Sequence, residues 1–164
     1  MLPEEFDEKI YCLDFGFNNP MCLLEIRIKD KKAYVKELLY QTGLLTSDLI
    51  AKLEDLKIDK NKFLFCDSAE PDRIEEIRRA GYNTRKSDKE VKKGIDTVKS
   101  TPVFITKDSV NTLKESRMYS WKVTTDGKIL EDPVKLNDHA MDTMRYGIRS
   151  YFTMLNTQPN VRTM

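Results

Sequence analysis

The sequence predicts a mixed α/β sheet with helices on its faces. Three observations carry that prediction. Three strand-like apolar runs follow one another with only short turns between them. After Gly43 short apolar runs alternate with helix-spaced segments, and the chain closes on a hairpin-like stretch and one long helical segment. A meander implies antiparallel pairing and alternation implies crossovers, so the two together imply a mixed sheet.

The first run, Ile10-Tyr11-Cys12-Leu13, reads as a buried strand ending at Asp14, with Gly16 and Asn18-Asn19-Pro20 as its turn. Met21 to Ile28 ends in alternation, and Asp30-Lys31-Lys32 turns the chain into a third strand from Ala33 to Tyr40. Thr46-Ser47-Asp48 is a helix start, followed by Leu49, Ile50, Leu53 and Leu56 at helical spacing. Phe63 to Cys66 is apolar throughout and ends at Asp67. Ser68 is the expected cap of a helix that carries Pro71 in its first turn and runs through Arg79 to Gly81.

Tyr82-Asn83-Thr84 reads as a short strand, and a basic helix is expected from Ser87 or Asp88 to about Ser100. Residues 102–105 form another short strand, and Ser109 to about Met118 a helix. Tyr119 to Leu130 is expected to be a hairpin around Asp126-Gly127. The last helix is expected from Asp138 to about Leu155, with Asn137 as its cap. On this reading residues 1–9 are a linker or an added tail, 10–155 are one domain and 156–164 a flexible tail.

The chain of 164 residues suits one domain with a real core. No apolar run approaches the ~18 residues that span a bilayer, and no signal peptide is visible, so neither membrane nor secretion is expected. Three cysteines, Cys12, Cys22 and Cys66, lie in apolar runs at no zinc-like spacing, and read as reduced core thiols of a cytosolic protein. A net charge of +1 predicts no global attraction to nucleic acid. Locally, six basic residues between Arg85 and Lys99 (Arg85, Lys86, Lys89, Lys92, Lys93, Lys99) face three acidic ones. That stretch is either a phosphate-contacting face or a solvated helix surface.

The chemistry concentrates near the end. Asn137 to Gly147 contains the only histidine, and sets Asp138, His139 and Asp142 within about one helical turn. A spacing of three puts His139 and Asp142 on one helix face. Asp14 and Asp67 each follow four apolar residues, at the carboxyl end of a strand, where sheets of this kind place their ligands. Each aspartate could instead cap a turn, Asp138 is explained by a helix N-terminus alone, and a lone histidine is often a surface residue. Together they form a carboxylate set suited to Mg²⁺ or Mn²⁺ rather than zinc, for which the chain has one histidine and no usable cysteine pair. Two such ions support phosphodiester hydrolysis.

These segments resemble a known family. Leu-Asp-Phe-Gly-Phe at the first strand, Phe-Cys-Asp-Ser-Ala-Glu-Pro at the central one, and Asn-Asp-His-Ala-Met-Asp-Thr-Met-Arg-Tyr near the end resemble the C-terminal nuclease domain of tailed-phage large terminase subunits. The resemblance spans Ile10 to Tyr151 and is nearest the branch that includes the phage SPP1 terminase. It implies an RNase H-like fold and an endonuclease that cuts double-stranded viral DNA with little sequence specificity during packaging. It also implies Asp14, Asp67 and Asp142 as metal-binding acids, His139 beside them, and Asp138 as a further candidate ligand.

By the same resemblance two Mg²⁺ or Mn²⁺ ions act with the DNA, and the family's active-site hairpin corresponds to Tyr119 to Leu130; local charge, not the resemblance, makes Arg85, Lys86, Lys89, Lys92 and Lys93 the candidate DNA contacts. The implied partners are DNA, an N-terminal ATPase domain, the portal and the small terminase subunit, in the cytoplasm of the infected bacterial host. No phosphate-binding Gly-Lys-Ser/Thr loop occurs, so the chain is expected to be the nuclease part alone, with Met1 an added start. A junction resolvase or exonuclease of the same fold, or a catalytically silent scaffold of the packaging machine, are the competing readings.

Overall fold

The computed structural model of the chain describes residues 1–87, 100–120 and 138–157. The expected meander is present: β1 (Glu8–Asp14), β2 (Met21–Lys29) and β3 (Lys32–Gln41) pair antiparallel in sequence order. Beyond Asp14 the chain turns tightly at Gly16, where a β-carbon would run into the backbone of Asn19 and Pro20. Helix α1 (Thr46–Asp55) then leads to β4 (Phe63–Cys66), α2 (Pro71–Arg79), β5 (Asn83–Lys86) and β6 (Val103–Ile105). Two further helices follow, α3 (Val110–Ser120) and α4 (His139–Thr157).

The six strands form one sheet in the order β5-β4-β1-β2-β3-β6. Strands β4, β5 and β6 join it parallel to their neighbours, so the sheet is mixed as its element order predicts. Alternation along β1 and β4 sends Tyr11, Leu13, Leu64 and Cys66 to one face, where Leu49 and Leu53 of α1 and Ile74 and Ile77 of α2 close over them. The other face carries Ile10, Cys12, Cys22, Leu24, Ile26 and Phe65, covered by Ala140, Met144, Ile148 and Tyr151 of α4. Each core is one side of the same pleated strands, and each buried Leu or Ile contributes ~1.5–3 kcal/mol.

Several boundaries differ from the sequence reading. The N-cap of α2 is Glu70 rather than Ser68, with Pro71 in the first turn as expected. Proline fixes the first helical residue by its φ, and the residue before it must then be the cap. Helix α3 continues to Ser120, so the hairpin expected to open at Tyr119 does not begin there. Its remainder, and the basic helix with Lys89, Lys92, Lys93 and Lys99, lie outside the described residues. Helix α4 begins at His139: Asp138 holds the cap position, its carbonyl accepting the first helical bond from Asp142 N–H at 2.8 Å. Asn137 lies outside the described residues; α4 takes in residues 156 and 157 of the tail expected over 156–164, and the rest of that tail lies outside them.

Candidate active site

The pairing of β1 with β4 sets the first two acids side by side. The parallel register runs Tyr11 with Leu64, Cys12 with Phe65 and Leu13 with Cys66. It continues one rung further, because Asp67 N–H donates to the Leu13 carbonyl at 3.1 Å. Asp14 and Asp67 therefore leave adjacent parallel strands at their carboxyl ends. Alternation aims Asp14 with Cys12, and Asp67 with Phe65, toward the face that α4 covers. Both are partly exposed. Asp67 Oδ1 also accepts the Ala69 N–H at 3.0 Å, so the carboxylate holds its own turn, the alternative role the sequence leaves open for it.

Helix α4 runs antiparallel to β1, with its N-terminus at the Asp14 end. Thr143 hydrogen-bonds Cys22, which pairs with Asp14 across β1 and β2. One turn on, Gly147 rests against Cys12 and Ile26, so closely that a β-carbon would overlap Cys12 Sγ. Further along, Tyr151 lies near enough to Glu8 and Asp7 to feel their charge. The start of α4 therefore stands over the end of β1. His139 precedes Thr143 by one turn on the same stripe, past the Asp14 rung, and is half-buried.

Asp142 sits beside that stripe. Its Oδ1 accepts Arg145 Nη2 at 2.7 Å, with the aspartate side chain 23% exposed and the arginine 7%. Among the described residues no three acidic, histidine or cysteine side chains converge closely enough to hold a metal ion. The structure thus brings Asp14 and Asp67 together, and sets His139, Asp138 and Asp142 at the helix end above them without gathering them in. Two carboxylates on one rung of adjacent strands are a hard-oxygen donor pair, the chemistry that Mg²⁺ and Mn²⁺ select. The pair fits such an ion; on α4, Asp142 has one carboxylate oxygen, Oδ1, on Arg145.

The cysteines take no part. Burial pushes all three thiols far above their ordinary value, and none is paired in a disulfide. Basic groups lie to the other side of Asp67. Lys86 pairs with Cys66, and Ser87 N–H donates to the Cys66 carbonyl at 2.8 Å, so the exposed Arg85 and Lys86 end one strand away from Asp67. The Arg85 guanidinium lies 5.3 Å over the Phe63 ring. Arg73 stacks 4.8 Å over Phe15 and donates to Thr46 Oγ1 and the Leu44 carbonyl, bracing the loop that follows Asp14.

Sequence reasoning missed Glu115. It is buried at 4% exposure, its Oε1 accepts Tyr40 O–H at 2.7 Å, and its Oε2 accepts the Met141 N–H at 2.9 Å. Burial raises its carboxyl above the usual range, a shift opposed by those two donors and by the Ala140 N–H, and reinforced by Asp138. The signal that could have found it is the polar spacing Ser109, Thr112, Glu115, every third residue along one helix.

Residues 14–150 match the family model described as the terminase RNAseH like domain. No curated protein sequence matches the chain. Among solved structures it is similar to the large terminase of a thermophilic bacteriophage in complex with ATP-gamma-S, with a TM-score of 0.74 and 22% identity over 92% of this chain and 42% of that one. It is also similar to the nuclease domain of the large terminase (g2p) of bacteriophage SPP1 with bound Mn, at a TM-score of 0.66 and 15% identity over 87% and 86% of the two chains. The P22 large terminase nuclease domain superposes with a TM-score of 0.67 and 17% identity, covering 95% and 84%. At these identities the likeness establishes the fold. The chain spans less than half the length of the thermophilic phage's terminase.

Proposed function

This chain belongs to the terminase RNase H-like domain family, and from that premise we propose that it is a metal-dependent endonuclease domain cutting double-stranded viral DNA during genome packaging. The observation that carries the proposal is the juxtaposition of Asp14 and Asp67 on neighbouring strand ends beneath the start of α4. Burying two carboxylates side by side is costly unless a cation compensates them, and at partial exposure they remain open to one. That the SPP1 nuclease domain was solved with bound Mn supports a divalent ion here.

Asp14 and Asp67 would hold the ion, and Asp142 would join them from α4. When bound, Mg²⁺ or Mn²⁺, as one ion or a pair, supplies charge stabilisation for the phosphodiester and an activated water. The chain's own groups do the rest. His139, one turn before Thr143, would carry a proton at the strand ends. Arg85 and Lys86 offer cations to a backbone phosphate on the far side of Asp67. Such contacts orient DNA without reading its sequence, which is what unspecific cutting requires.

Lys89, Lys92 and Lys93 extend the basic run of the sequence beyond Lys86. In a full-length protein the domain would work beside an ATPase domain, with the portal and the small terminase subunit, in the host cytoplasm. The greater length of the thermophilic phage's terminase and its complex with ATP-gamma-S support the ATPase part of that picture.

The test is cleavage of supercoiled plasmid beside a four-way junction, with Mn²⁺, Mg²⁺ or EDTA. Linearisation of plain plasmid with either ion and none in EDTA is expected. Preference for the junction would point to a resolvase of the same fold, and activity that persists in EDTA would end the metal mechanism.

A further inference from the structure

The end of α4 that carries His139 and Asp142 is held from a direction the proposed reaction does not use. Strand β3 contains a bulge: Leu24 pairs with Glu37 and Leu23 with Leu39, leaving Leu38 extra. The extra residue reverses the alternation, so Leu39 turns to the α1 side while Tyr40 turns to the α4 side. Glu37 and Tyr40, three residues apart, thereby both reach α3.

Glu37 receives the start of that helix. Its carboxylate accepts the Thr112 N–H and hydroxyl at 2.8 and 2.7 Å and Asn111 Nδ2 at 2.8 Å, while its own N–H donates to Ser109 Oγ at 2.8 Å. This is a reciprocal cap made across two elements, satisfying N–H groups that a helix cannot satisfy for itself. Helix α3 in turn presents Glu115, gripped by Tyr40 O–H on one oxygen and accepting the Met141 N–H of α4 on the other. Met141 is the third residue of α4, so Glu115 serves the N-terminus of α4 as Glu37 serves that of α3. A buried carboxylate gripped by two elements is a fixed point; an exposed cap would not be.

We propose that Glu115 is a positioning residue for the nuclease reaction, setting the start of α4, and with it His139 and Asp142, over Asp14 and Asp67. The inference rests on the proposed nuclease reading. Glu115 touches no reacting group; it acts through the α4 backbone.

The test compares wild type with Glu115→Ala and Glu115→Gln in the same chain, by amide hydrogen exchange of residues 139–142 and by Mn²⁺-dependent plasmid cleavage at varied DNA concentration. In Glu115→Ala, exchange at the start of α4 should quicken at least tenfold while the β1 and β2 amides keep their protection. The kcat should fall at least tenfold with KM for DNA held within twofold. Glu115→Gln keeps an acceptor for the Met141 N–H and should recover both to within about threefold of wild type. Should Glu115→Ala not fold, Glu115→Asp, which draws the carboxylate back by one methylene, is expected to give the same two changes. Unchanged exchange in the altered proteins, or quickened exchange with unaltered kcat, would overturn the proposal. Failure of the nuclease reading shows separately, as absence of metal-dependent cutting by wild type.

Discussion

Gly147 lies where α4 crosses β1, and a β-carbon there would overlap Cys12 Sγ and crowd Cys12 Cβ. Gly147→Ala must push α4 off the sheet or displace a fully buried strand residue, which in a close-packed core costs ~1–3 kcal/mol. A lower urea midpoint with an unchanged slope is the expected result, and an equal midpoint would show that α4 stands further from β1 than described. At this scale the sequence is uneven in what it reveals. Asp14 and Asp67 stand out because four apolar residues precede each, and charge that follows a buried strand needs a reason. Glu115 hardly stands out: a charged residue in a helix is normally on the surface, and only its polar spacing with Ser109 and Thr112 marks this one. Asp142 was legible as a helix residue near the site, but its bond to Arg145 depends on rotamers that spacing does not set.

Between elements, α3 inverts the usual pattern. Ser109, Thr112 and Glu115 are buried while Val110 and Met118 are exposed, so the helix faces β3 with a polar stripe. Hydrophobic periodicity cannot find such a helix, and its boundary was legible only approximately for that reason. Its attachment depends on Glu37. Glu37→Ala removes the acceptor for three α3 donors and leaves the buried Thr112 groups unsatisfied, an expected loss of ~1–3 kcal/mol. Thermal unfolding followed by circular dichroism would show a lower Tm; an unaltered Tm would mean that water replaces the carboxylate. The bulge in β3 was also hidden, because Val35, Leu38, Leu39 and Tyr40 are all apolar or aromatic and any of them suits either face. The caps were misread where two side chains competed: Ser68 is a good cap by type, yet Pro71 dictates that Glu70 holds the place.

At the scale of the whole molecule, the meander and the alternation of elements were enough to call a mixed sheet, and the family motifs enough to call its RNase H-like form. Both are now findings, from the sheet order and the family match. Short turns reveal which strands are neighbours within the meander. The parallel pairing of β1 with β4 spans about fifty residues of intervening chain and has no local signature, yet it is this pairing that makes Asp14 and Asp67 adjacent. The site is therefore a property of the topology, whereas each of its members is a property of a short segment.

The central claim is that the strand-end carboxylates act together on a metal ion, and Asp67→Asn tests it with the least disturbance. Asparagine keeps the side-chain oxygen that accepts the Ala69 N–H, so the turn and the fold should persist, as far-ultraviolet circular dichroism can confirm. It removes the negative charge that a divalent ion requires. The measurement is the rate of supercoiled plasmid cleavage in saturating Mn²⁺. The account predicts a loss of at least a hundredfold against wild type, ~3 kcal/mol in the barrier. A folded Asp67→Asn protein that cuts at the wild-type rate would contradict it.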